Sequence, residues 1–127
     1  MREPTYYVLA SLLDGPLHGY AIIKRSEELS SGRMRLATGT LYTALDRLAA
    51  AGYVQLVSED IVSGRARRSY GLTGHGASAL RAEAARMAEA ARIVTDATPA
   101  RASRRARPDR GSGPAGQARP SRRARTA

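Results

Sequence analysis

Two histidines, His18 and His75, are the side chains that could exchange protons near neutral pH, and each stands next to a glycine near a helix start. Neither has a nucleophile at motif spacing, and no H-E-x-x-H, P-loop or G-x-S-x-G string occurs. The 11 acidic residues are scattered, and the absence of cysteine removes thiolate metal ligands, disulfides and thiol redox switches. The sequence therefore predicts no catalytic residue, no metal site and no cofactor. What remains is the chemistry of recognition. Hydroxyls and small residues gather in "ATGTLYTALDRLAAAGYV" (37–54), which carries Thr38, Gly39, Thr40, Tyr42, Thr43 and Arg47. Guanidiniums gather at Arg65, Arg67 and Arg68. Groups of these types donate hydrogen bonds to phosphate oxygens and base edges.

Positioning them requires a scaffold, and hydrophobic periodicity supplies one. Residues 5–13 place Tyr6, Val8, Leu9, Leu12 and Leu13 on a broad apolar helical face, ended by Asp14-Gly15-Pro16. A second helix is predicted over 18–29, with Tyr20, Ile22, Ile23 and Leu29 as its apolar members and Ser30-Ser31-Gly32 as its stop. A third is predicted over 36–51. Leu41, Ala44, Leu45 and Leu48 form its inward stripe, Thr38 is the candidate N-cap and Gly52 the C-cap residue. That stripe turns Thr40, Thr43 and Arg47 outward, with Tyr42 on the flank. The helix front is slim, polar and nearly uncharged, a shape that enters a DNA major groove. Past Gly52 the period changes to that of a strand at 54–58; a Ser63-Gly64 turn and a strand at 67–72 complete a hairpin with a basic tip. Three short helices and a basic hairpin spell a winged helix-turn-helix, a mainly α fold with a small β-hairpin.

Thr73 is positioned to cap a last helix reaching about residue 96, its first turn weakened by Gly74 and Gly76. Ala77, Leu80, Ala84, Met87, Ala91 and Val94 recur along it at alternating steps of three and four, a heptad-like seam. A helix of this length exceeds what so small a domain covers, so the seam predicts a homodimer through Leu80, Ala84, Met87, Ala91 and Val94. The organisation expected is a DNA-binding domain at 1–72, a dimerisation helix at 73–96 and a tail at 97–127. The formal charge of +10 divides unevenly along it. Residues 1–98 hold 12 basic and 10 acidic side chains, whereas 99–127 hold nine arginines against Asp109 alone. The tail lacks apolar periodicity and reads as disordered, either a solvating segment or a sequence-tolerant polyanion contact. In the second case the chain would be an architectural nucleic-acid binder. No apolar run is long enough to span a bilayer and the N-terminus lacks a signal-peptide layout, which predicts a cytoplasmic, nucleoid-associated protein.

Three stretches, "GPLHGYAIIK" (15–24), "GTLYTALDRLAAAGYV" (39–54) and "GRARRSYGLTGHG" (64–76), resemble in order and spacing the signature stretches of the PadR family, the phenolic acid decarboxylase regulators. The resemblance implies a dimeric winged-helix transcriptional regulator, usually a repressor, bound to double-stranded DNA. It also implies release by a small hydrophobic effector in many members. The single C-terminal helix resembles the short branch of the family. By matching position, Thr40 and Tyr42 are implied to face DNA, and Arg65, Arg67 and Arg68 to form the basic wing. Tyr20 is implied either to contact phosphate or to pack helix two on helix one. His18 is implied to cap helix two, while Tyr70, Leu72 and Thr73 are structural. Ala37, Ala66 and Met87 depart from the family pattern; Met87 stands where flat-drug sensors carry a Trp, and a methionine lacks the large π face that stacking needs.

Overall fold

The computed structural model describes residues 1–97; the arginine-rich tail expected from residue 97 on falls almost wholly outside them. The order of elements is α1 (Glu3–Ser11), β1 (Leu17–His18), α2 (Gly19–Leu29), α3 (Thr38–Ala50), β2 (Val54–Val62), β3 (Arg65–Leu72) and α4 (Gly74–Thr95). The chain divides into a unit spanning Met1–Ala85 and a second beginning at Arg86. The first unit therefore includes the start of α4.

Its core is built from the helical stripes that the sequence displays. Val8, Leu9 and Leu12 around α1, Ile22 of α2, and Leu41, Leu45 and Leu48 of α3 are buried together with Val54, Tyr70 and Leu80. Removing side chains of this size from water stabilises the unit by about 2 kcal/mol each. Helix α1 begins earlier than its apolar pattern suggests, because Pro4 is favourable in a first helical turn. It also ends earlier, which leaves Leu13 half-exposed instead of on the packed face. In α2, the buried positions are Gly19, Ile22 and Ser26. Ser26 reaches the Tyr7 carbonyl at 3.4 Å. Tyr20 and Leu29, expected among the packed apolar members, are exposed instead.

The expected cap of α3 is corrected. Ala37 is the N-cap residue, extended at φ −74° and ψ 152° like an ordinary cap but offering no side-chain hydrogen bond. Its carbonyl accepts from the Leu41 amide at 2.9 Å, so Thr38 already lies inside the helix and its hydroxyl caps nothing. The other end behaves as predicted. Gly52 takes φ +82°, and the Tyr53 amide reaches back to the Leu48 carbonyl at 2.9 Å, closing a Schellman motif.

The hairpin is longer than expected in both strands because its two-residue turn suits it. Ser63 (φ 52°) and Gly64 (φ 78°) both lie in the left-handed region, the requirement of a type I′ turn whose twist matches that of the strands. The register runs Val54↔Leu72 and Leu56↔Tyr70, then resumes at Ser58↔Ser69, leaving Val57 as a β-bulge. Val57 lies over Gly71, where an added Cβ would come within 2.9 Å of its Cγ2. A third strand, β1, was not anticipated. It is two residues long and pairs Leu17↔Tyr70 and His18↔Ser69, giving an antiparallel sheet of order β1-β3-β2. The sheet thereby fastens the start of α2 to the wing.

Thr73 caps α4 as expected. Its Oγ1 accepts from the Gly76 amide at 2.9 Å and donates to the Gly52 carbonyl at 2.5 Å. Gly76 is a requirement of the packing as well as a weakness of the helix: a Cβ there would stand 2.1 Å from the Tyr53 carbonyl oxygen.

A candidate nucleic-acid interface

The outer side of α3 is bare. Thr38, Gly39, Thr40, Thr43 and Arg47 are all exposed, while Leu41, Leu45 and Leu48 of the same helix are buried. Because Ala37 contributes no side-chain cap, the first amides of α3 have no acceptor from that side chain. Tyr42 is half-buried on the flank facing α2. The contact there is close: a Cβ on Gly19 would lie 2.5 Å from the Tyr42 hydroxyl oxygen and 3.0 Å from Cζ. The tyrosine ring thus rests on the first turn of α2.

That first turn is held by His18. Extended at φ −81°, ψ 165°, it accepts from the Ala21 amide through Nδ1 at 3.4 Å. The capping role expected for His18 is therefore the role it has. His75, the other histidine, lies with its ring 4.9 Å from that of Tyr53, with no carboxylate or nucleophile in that contact. Tyr20 follows Gly19 and is 67% exposed. So open a side chain does little to pack α2 on α1.

On the wing, the pleat sorts the arginines. Alternation places Arg65 and Arg67 on one face of β3 and Arg68 on the other. Arg68 stands opposite Glu59, and its Nε donates to Glu59 Oε2 at 3.1 Å. The hydrogen bond and charge of Glu59, with a smaller contribution from Tyr70, raise the Arg68 pKa above its usual value. Arg65 and Arg67 make no ion pair among the described residues. The same holds for Arg47. Elsewhere in the unit, arginines are mostly paired: Arg25 with Asp14 at 3.9 Å and Glu28 at 3.4 Å, Arg35 with Glu27 at 3.4 Å, and Arg33 with Glu3. The cations left free include those beside the bare helix.

Between these elements lies a cleft of about 340 Å³. Helix α2 with its cap contributes His18, Gly19 and Tyr20; α3 contributes Tyr42; the wing contributes Val62, Arg65, Ala66 and Arg67. Four residues predicted from sequence, Tyr20, Tyr42, Arg65 and Arg67, are thus brought to one place. Arg68 is not among them, and the hydroxyls of α3 lie on its open face instead. His18, Gly19, Val62 and Ala66 were not expected as lining. A signal for Gly19 is present in the sequence, since a glycine one residue inside a helix start marks a close approach.

On α4, Leu80 is 4% exposed and belongs to the core of its own unit, so the seam's first leucine is not available to a second chain. Ala84 is half-buried, whereas Met87, Ala91 and Val94 are exposed, Val94 to 75%. No group of metal-ligating side chains occurs among the described residues, and no helix among them is long and apolar enough to cross a membrane.

Comparison with known proteins agrees with this architecture. The family model of the transcriptional regulator PadR-like family matches residues 8–82. Transcriptional regulator Rv3488 of Mycobacterium tuberculosis is 40% identical over 89 residues, which cover 69% of this chain and 78% of that protein. An uncharacterized 37.1 kDa protein of transposon TN4556 from Streptomyces fradiae is 43% identical over 93 residues, 72% of this chain but only 25% of that longer protein. Among solved structures, Bacillus subtilis PadR in complex with operator DNA superposes with a TM-score of 0.55 at 25% identity, covering 63% of this chain and 45% of that one. A family match across most of the folded residues, together with a relative of this identity and coverage, leaves one assignment: the chain belongs to the PadR-like family of transcriptional regulators.

Proposed function

We propose that the protein is a sequence-specific DNA-binding regulator that acts as a dimeric repressor by covering a promoter palindrome. The observation that carries this reading is the conjunction of the bare outer face of α3 with the unpaired Arg65 and Arg67 beside it. In it, Thr38, Gly39, Thr40 and Thr43 approach base edges and nearby phosphates, Arg47 extends that face, and the wing clamps the backbone. Arg68 serves mainly to brace the wing through Glu59. The structural neighbour from Bacillus subtilis was crystallised with operator DNA, which supports the same use of the fold here.

Dimerisation is the second part of the reading. Met87, Ala91 and Val94 offer an exposed apolar seam on α4, with Ala84 at its inner end. A dimer reads an inverted repeat when its two recognition helices stand about 34 Å apart, one turn of DNA. Relief by a small hydrophobic compound, which the family resemblance implies, would have to act without aromatic stacking at Met87, which lacks the large π face of a flat-ligand sensor.

The test is selection of bound sequences from a random duplex pool, with the full chain and with residues 1–98, alongside light scattering of the unbound protein. An inverted repeat enriched by both versions, and a dimer in solution, support the reading. Binding by the full chain alone, steeply salt-dependent and without a preferred sequence, would replace it with the architectural function that nine tail arginines favour. A monomer that still binds the repeat as a monomer would remove the dimer.

A further inference from the structure

Helix α3 carries one acidic residue, Asp46, and nothing in the fold uses it. Its side chain is exposed and forms no hydrogen bond or ion pair among the described residues. Helical geometry fixes where it points. With Leu41, Leu45 and Leu48 buried, Gly39, Thr43 and Ala50 lie within roughly 30° of the opposite direction, at about 3.6 residues per turn. Asp46 and Arg47 stand about 50° to either side of that outer midline. All of these side chains are exposed, and those on the midline are small. The glycine is not there for packing, since a Cβ on Gly39 would meet no packing neighbour within 4 Å. So low a midline lets the helix approach the floor of a groove, within reach of a side chain as short as aspartate.

A carboxylate only accepts hydrogen bonds. The base edges of the major groove offer it two donors, N4 of cytosine and N6 of adenine, whereas guanine and thymine present acceptors that repel it. Adenine sets its N7 acceptor beside N6; cytosine has no such neighbour. We propose that Asp46, within the DNA-binding reading on which this rests, determines specificity: its carboxylate accepts from the N4 amino group of one cytosine in each half-site. The residue contributes discrimination and not attraction. Its charge weakens binding to every duplex, and a cytosine at the right place offsets that cost. Asp46 thus rejects sequences, where the wing arginines attract all of them alike.

The experiment is selection from a random duplex pool with the full chain, as wild type, Asp46→Asn and Asp46→Ala. Both changes fall on an exposed side chain outside the core, and unfolding midpoints check that the fold is kept. Wild type should enrich a repeat in which one cytosine per half-site is preferred about tenfold over other bases. Asp46→Asn, whose amide both donates and accepts, should move that position to adenine and leave the others as they were. Asp46→Ala should lose the preference there and bind the mismatched sites more tightly than wild type does. A second measurement isolates the atom. Replacing that cytosine by 2-pyrimidinone, which lacks the 4-amino group, should weaken wild-type binding about tenfold relative to Asp46→Ala. The same repeat from all three chains overturns the role of Asp46 and leaves the regulator reading standing. A uniform rise in affinity for both variants, with the repeat unchanged, also overturns it, because Asp46 would then face phosphate and no base. A wild-type chain that enriches no repeat removes the sequence-specific reading itself, and with it any base for Asp46 to read.

Discussion

Helices α3 and α4 begin in opposite ways. The start of α4 is closed: Thr73 satisfies the Gly76 amide, its hydroxyl is anchored on Gly52, and Gly76 itself lies against the Tyr53 carbonyl. The start of α3 is open: Ala37 offers no side-chain acceptor, and Thr38, Gly39 and Thr40 face solvent. Both helices belong to one family of local solutions, and a capped end is more stable by about 1 kcal/mol. The difference shows where the fold uses its polar groups for its own stability and where it leaves them for something else.

Four variants would break or sharpen that contrast. Gly76→Ala places a methyl against rigid backbone and should destabilise the unit by about 3 kcal/mol in urea unfolding, the upper part of the overpacking range. A small gain in stability, of the size helix propensity alone gives, would show that α4 can move aside. Arg65→Ala with Arg67→Ala should leave the unfolding midpoint in place, weaken operator binding at least tenfold and reduce the salt slope by about 2. An unchanged slope would remove both from the phosphate contact. Thr73→Ala should cost about 1 kcal/mol of stability with operator affinity unaltered once folding is corrected for. Ala37→Ser is the converse: supplying the missing cap should raise stability by about 0.5 kcal/mol, while the new side chain competes for amides that DNA would use. Raised stability with undiminished affinity would mean that those amides are not part of the interface.

Much of the scaffold was legible because period and punctuation agree. The stripe Leu41, Leu45, Leu48 ends at Gly52, and Ser63-Gly64 forms a two-residue turn whose twist matches that of the strands. Features that depend on one residue's neighbours in space were not. Strand β1 is two residues long, too short to show an alternation. The burial of Ser26 depends on a carbonyl nineteen positions away in sequence. Of the candidate site, the tyrosines and arginines could be named from their types and spacing. That Glu59 would meet Arg68 follows from the pairing register, which no local pattern encodes.

That register hangs on Val57. With the bulge in place, Glu59 meets Arg68 and Asp60 meets Arg67. Without it, β2 would slide by one residue against β3. Ser58 would then oppose Arg68, Glu59 would oppose Arg67, and the hairpin would need a longer loop than Ser63-Gly64. A single extra valine, seated in the space that Gly71 leaves over, acts as a reading frame for charge: it decides which carboxylate faces which arginine across the hairpin.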